Sequence, residues 1–227
     1  MPSLRRGVLA VAFVAALLGL LASNAVAVVI ADQPWDGTSQ AVVAQVFPDN
    51  PTFSTYQFDN FATGVPYDIT TLTIYGDELG DPTGNVAVTG EIWTNLPDKG
   101  GTLVMSGTGT EDASHNLDIS FADQLLGPGS YFVTAYVTRP ISSGQWFWYQ
   151  TTPVNAPEEY FYNPGGGFGA GTSSIPASEF FGGSPADMAF TLDGDTAGAF
   201  VPEPATMTLL GLGLTGLVAK VARRRNR

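Results

Sequence analysis

Residues 131–138 alternate strictly. Phe132, Thr134, Tyr136 and Thr138 fall on one side, and Tyr131, Val133, Ala135 and Val137 on the other. Successive side chains of a strand point to opposite faces, so a period of two marks β structure. The pattern recurs along the chain. Residues 69–75 set Leu72 and Ile74 against Thr71, Thr73 and Tyr75, and residues 86–94 group Val86, Val88, Gly90 and Ile92. Leu117, Ile119 and Phe121 alternate, Tyr56 and Phe58 share one side of 55–61, and Met188, Phe190 and Leu192 close the series. Residues 40–47 are rich in Val and Ala, 103–106 make a brief run, and 146–152 are aromatic. Clusters of Gly, Pro, Asn and Asp separate these runs at short spacing, and only the two termini show a helical period. The prediction is an all-β, mostly antiparallel domain of about eight to ten strands, a β-sandwich of jelly-roll type. A signal helix is expected before it and a transmembrane helix after it.

The two ends differ from the middle. Residues 1–27 read as a signal peptide: Arg5 and Arg6 precede an apolar run, and Ala25-Val26-Ala27 offers a small-residue cleavage site. The run is short for a membrane helix, so cleavage is expected. Residues 28–200 then form one extracellular domain, long enough for a core. It has no cysteine, so packing and sheet hydrogen bonds must hold it. Of the nine basic residues only Lys99 and Arg139 lie in it, against twenty of the 21 acidic ones, a balance of −18 where the whole chain has −12. Nucleic acid and anionic headgroups are excluded as partners by that sign. Divalent cations are compatible with it.

Catalytic patterns are scarce. His115 is the one histidine and sits in a turn-like Ala-Ser-His-Asn stretch with no cysteine in the chain, so no nucleophile–base pair is evident. Glu91 is the one glutamate inside a strand run, out of phase with Val88 and Ile92, and no second acid accompanies it at strand spacing as a glycosidase would need. Asp77, Glu78 and Asp81, with Asn85, lie among glycines and are weak calcium candidates, since the spacing is not that of an EF-hand and a solvated acidic turn is the better account of them. Gly211, Gly213 and Gly216 match a dinucleotide fingerprint on paper, but no strand leads into them.

Aromatic residues are the stronger candidates. In 146–149, Trp146 and Trp148 share one face and Phe147 and Tyr149 the other. Only one face can reach a sandwich core. Two rings are therefore expected outside, or under the segment 149–181, which carries Tyr160, Phe161, Tyr162, Phe180, Phe181 and a glycine run. Trp146, Trp148, Tyr149, Tyr160 and Tyr162 are the candidates for stacking on sugars.

The tail 201–227 opens Val-Pro-Glu-Pro-Ala, continues with uncharged residues 205–219, and ends in Lys220, Arg223, Arg224, Arg225 and Arg227. A full span takes about 20 residues, so this one is short and Lys220 must snorkel to extend it. Arginines beyond an apolar run stay cytoplasmic. Two prolines keep Pro202-Glu203-Pro204 out of helix and accessible. Triplet, apolar segment and arginine cluster, in this order, resemble the sorting tail of the PEP-CTERM family of exported bacterial proteins. The resemblance implies recognition and cleavage by an exosortase near Pro202, Glu203 and Pro204, and a Gram-negative host that makes extracellular polysaccharide or biofilm. The stretches 55–61, 91–93 and 162–168 are similar to one group of these proteins whose domain has no assigned activity.

The expectation is a non-enzymatic protein without cofactor. It is exported, transiently anchored, cleaved by exosortase, and delivered to the cell surface or matrix in a structural or adhesive role. The alternative is a carbohydrate-binding module for extracellular polysaccharide. A glycan-active enzyme using Glu91 is a third reading.

Overall fold

The computed structural model describes residues 27–80, 87–154 and 157–196. The expected signal segment, the tail from 197 onward and Asp81 lie outside the described residues, and with them the two flanking helices expected from the sequence. No described helix is long and apolar enough to cross a membrane.

Among the described residues fifteen strands follow one another: β1 (Val28–Gln33), β2 (Ala41–Val43), β3 (Gln45–Val46), β4 (Tyr56–Thr63), β5 (Tyr67–Ile74), β6 (Gly76–Leu79), β7 (Ala87–Trp93), β8 (Leu103–Glu111), β9 (Leu117–Leu126), β10 (Gly129–Thr138), β11 (Gln145–Thr151), β12 (Tyr160–Tyr162), β13 (Ile175–Pro176), β14 (Asp187–Met188) and β15 (Phe190–Thr196). One five-residue helix, α1 (Ala177–Phe181), sits after β13. Eleven strands make one curled sheet in the order β1-β15-β5-β9-β8-β7-β10-β4-β12-β13, with β3 beside β10. The other four make a small sheet, β14-β11-β2 with β6 on β11. The pairs are antiparallel except β3 with β10. The all-β, antiparallel expectation holds. The jelly-roll division into two comparable sheets is not seen, because the long hairpin ladders keep adding to one sheet.

The core lies where the two sheets meet. Leu72, Ile92, Ile119 and Val133 of the large sheet pack in one cluster with Trp146, Trp148, Val42 and Met188 of the small one. These are the in-phase residues of each run, as period-two burial requires.

β8 is longer than its apolar part. Beyond Met105 it reads Ser-Gly-Thr-Gly-Thr, without a single apolar side chain, and still pairs with both β7 and β9. A Cβ on Gly109 would lie 2.1 Å from the Asp118 carbonyl oxygen, and one on Gly107 2.5 Å from that of Ser120. Ile119 and Phe121 of β9 reach over these positions and fill the space that β8 leaves. The strand is therefore defined by its neighbour's bulk, not by its own hydrophobicity.

The segment 149–181 is folded back onto the domain. β12 pairs with β4, and Phe161 is buried against Phe180 (ring centroids 4.3 Å, 6°) with Phe168 and Phe181 at its edges. Asn163 donates its amide to the carbonyls of Thr52 (2.9 Å) and Ser54 (2.8 Å) and accepts from the Phe168 N–H. Gly165 backs onto Thr52 so closely that a Cβ would lie 2.4 Å from its Cα.

Gly109→Ala forces β8 and β9 apart. Its expected cost is roughly 1–3 kcal/mol, read from urea unfolding as a lower midpoint at unchanged slope.

Candidate functional site

The sheet register collects an aromatic surface on the outer face of the large sheet. β12 sets Tyr160 beside Phe58 and Tyr162 beside Tyr56. β10 sets Phe132 beside Asn60 on one flank and beside Trp93 on the other, with Thr134 beside Glu91 and Tyr136 beside Thr89. Paired residues share a face. The in-phase core residues Val133, Ala135, Ile92 and Phe61 point the opposite way. Tyr56, Tyr160, Tyr162, Phe132, Tyr136 and Trp93 are half-buried and Phe58 is covered.

The rings support one another edge to face. Tyr56 meets Tyr136 at 5.0 Å and 83°, and Phe132 meets Tyr160 at 6.0 Å and 75°. Tyr162 lies 6.0 Å from Tyr56 and 6.3 Å from Phe58. Such pairs contribute about 0.5–1.5 kcal/mol each beyond area burial and fix ring orientation. Glu91 sits among them. It accepts from Trp93 Nε1 at 2.8 Å and from the Tyr136 hydroxyl at 3.0 Å. Burial first, and then the Glu91 charge, raise the Tyr56 and Tyr136 hydroxyls above the usual tyrosine range, so both stay protonated donors. Towards β9 and β5 the same face turns polar, with Thr108, Ser120 and Thr71 exposed.

The five aromatic candidates do not form one surface. Tyr160 and Tyr162 belong to the face just described. Trp146 and Trp148 are fully buried, which corrects the expectation that their rings are open to a sugar. β11 lies in the small sheet and turns both tryptophans onto the core, where Trp146 Nε1 donates to the His115 carbonyl and Trp148 Nε1 to that of Ala189, both at 2.8 Å. Tyr149 is on the opposite face of β11, with Trp35 stacked on it at 4.1 Å and 7°. Tyr56, Phe58, Trp93, Phe132 and Tyr136 went unselected from sequence. Their signal was present in 131–138, where Phe132 and Tyr136 alternate on the side opposite Val133 and Val137.

The calcium candidates also separate. Asp77 and Glu78 are neighbours on β6 and point to opposite sides, Asp77 into solvent. Glu78 turns inward to a buried ion pair with Arg139, their side chains 1% and 2% exposed. His115 Nδ1 lies 2.8 Å from Glu111 and 3.3 Å from Glu78. His115 is thus half-buried and engaged, not a free turn residue, and it holds a left-handed φ of 66°. The donor atoms of Glu78, Glu111 and His115 lie within 4.8 Å of one another, a spacing a metal could bridge. The Arg139 guanidinium already neutralises Glu78, so the group reads as an ion-pair network joining β6, β8 and the end of β10. Among the described residues, Arg139 is its one permanent cation.

The family model of the PEP-CTERM protein-sorting motif matches residues 200–225. No curated protein matches the chain. Pro202, Glu203, Pro204, Lys220, Arg223 and Arg224 fall inside the matched range, and Arg225 closes it; these residues and Arg227 lie outside the described structure. The match gives the chain a PEP-CTERM sorting tail, which indicates an exosortase-targeted secreted protein.

Hydrogen bonding to Glu111 raises the His115 pKa. A raised pKa contributes stability that is present below the unfolded value, near 6.5, and lost as pH rises through the folded one. Asparagine tolerates the left-handed backbone. The difference in melting temperature between wild type and His115→Asn should therefore be largest near pH 6 and shrink by pH 9.

Proposed function

We propose that the β domain is a non-catalytic module that binds extracellular polysaccharide through the outer face of its large sheet, giving the exported protein an adhesive role at the cell surface or in a biofilm matrix. The observation that carries this reading is the row Tyr162, Tyr56, Tyr136 and Trp93 across four adjacent strands, with Glu91 held between the last two. Half-buried rings bury apolar sugar faces, and fixed hydroxyl and carboxylate groups beside them hydrogen-bond sugar hydroxyls. A glycosidase needs a second carboxyl group about 5–9.5 Å from the first. The polar partners of Glu91 here are a tyrosine and a tryptophan, which favours binding over hydrolysis.

Delivery follows from the tail. The short apolar segment 205–222 would hold the chain in the membrane with Lys220, Arg223, Arg224, Arg225 and Arg227 on the cytoplasmic side. Exosortase would then cut near Pro202-Glu203-Pro204 and free the acidic domain.

Binding is tested with the host's own polysaccharide by calorimetry and tryptophan fluorescence. Trp93→Ala should weaken it roughly tenfold or more, the ratio that about 1.4 kcal/mol produces. Trp35→Ala, in the loop that stacks on Tyr149 of the small sheet, should leave it unchanged, and the reverse result would move the site to that sheet. Delivery is tested separately: Glu203→Ala should accumulate as full-length precursor in the membrane fraction, seen by intact mass, while wild type is shortened.

A further inference from the structure

The ion-pair network around Arg139 leaves one buried oxygen over. The guanidinium pairs with Glu78 through Oε1. Glu78 Oε2 is buried, accepts no hydrogen bond, and lies 3.3 Å from His115 Nδ1. That nitrogen also faces Glu111 Oε1 at 2.8 Å. Burial, and then the adjoining Glu111 carboxyl, raise the Glu78 pKa. Two carboxylates and one imidazole nitrogen thus converge on one small volume, within 4.8 Å of one another.

The three donors are held by separate parts of the fold. Glu78 stands on β6, which pairs with β11 of the small sheet. Glu111 ends β8 of the large sheet, and His115 lies in the turn between β8 and β9. That turn is braced from two sides. Asp112 accepts the N–H of Ser114 (2.7 Å) and of Asn116 (2.9 Å), and Trp146 Nε1 donates to the His115 carbonyl at 2.8 Å. The way in from solvent is past the imidazole, whose side chain is 38% exposed while that of Glu78 is 1%.

We propose that Glu78, Glu111 and His115 bind one divalent transition-metal ion of the zinc class. A set of one imidazole nitrogen and two carboxylate oxygens suits zinc better than calcium, which takes oxygen alone. Ligand atoms around a tetrahedral zinc ion stand about 3.4 Å apart, given bonds near 2.1 Å. The separations here, 2.8, 3.3 and at most 4.8 Å, straddle that value, so small side-chain rotations suffice. Water takes the fourth position from the exposed side. Arg139 keeps Glu78 Oε1, and the ion takes the oxygen that the guanidinium leaves over. The ion ties β6 of the small sheet to the β8–β9 turn of the large one, a cross-link in a chain without cysteine. It is independent of any sugar bound on the outer face.

The test uses full-length protein without a histidine tag at about pH 7.5, so that His115 is the one imidazole present. Zinc in hundredfold excess over its dissociation constant should raise the melting temperature by roughly 5–10 °C, and a chelator should reverse the shift. Calorimetry should count one ion per chain. His115→Asn keeps the left-handed backbone and should lose the shift. Glu111→Gln supplies the same comparison should His115→Asn fail to fold. Equal melting of wild type in zinc and in chelator overturns the site. So does a zinc shift that survives in both variants, which would place the ion elsewhere. A shift with calcium as large as with zinc overturns the imidazole as a ligand.

Discussion

The two tryptophans of β11 carry the union of the sheets. Trp146 and Trp148 insert from the small sheet into the core shared with the large one, and their indole N–H groups donate to main-chain carbonyls, Trp146 to that of His115 in the β8–β9 turn and Trp148 to that of Ala189 between β14 and β15. Without disulfides, this contact joins the four-strand sheet to the eleven-strand one together with main-chain hydrogen bonds through Ala44, Tyr75 and Ala189. A buried aromatic of this size typically contributes about 3–5 kcal/mol against truncation to alanine. The hydrogen bonds add direction: Trp146 fixes the turn carrying His115, and through His115 the Glu78–Arg139 pair. Gly76 is pressed so closely against Trp146 that a Cβ would lie 2.2 Å from its ring. Packing of this density leaves no room for a ligand on the inner face of β11.

Charge imposes the second constraint. A domain with twenty acids and two bases cannot neutralise its buried carboxylates with its own side chains. Arg139 is used once, in a network of two glutamates and a histidine. Exposed acids such as Asp36 and Asp112 are turned onto nearby donors, the Ser39 hydroxyl and then main-chain N–H groups for Asp36 and main-chain N–H groups for Asp112, which lowers their pKa and keeps them ionised.

Alternation made most of the fold legible. The runs at 69–75, 86–94 and 131–138 became β5, β7 and β10 with their apolar residues inside. Strands whose identity rests on a neighbour were not legible. β8 extends through glycines that β9 covers, β6 hides in an acidic turn, and β12 and β13 exist because Asn163 and the glycines pin their loop to Thr52. The candidate site was half legible for the same reason. Period two says which residues share a face, but it does not say which face is closed. Trp146 and Trp148 look like exposed aromatics beside a loop until the sheet to which β11 belongs is known. Tyr136 and Trp93 look like ordinary strand residues until the register sets them on either side of Glu91.

β4 shows why binding and stability are coupled here. Its even residues, Tyr56, Phe58 and Asn60, present the outer aromatic face, while its odd residues, Gln57, Asp59 and Phe61, go to the buried side. β12 has the same division: Tyr160 and Tyr162 face out, Phe161 anchors inward on Phe180. Ring positions on the outside are therefore set by what holds the inside. A change that loosens the inner contacts of β12 rotates two tyrosines of the outer face, although it touches neither. The long aromatic segment is then not a lid over a site but the last strand of the surface that forms it.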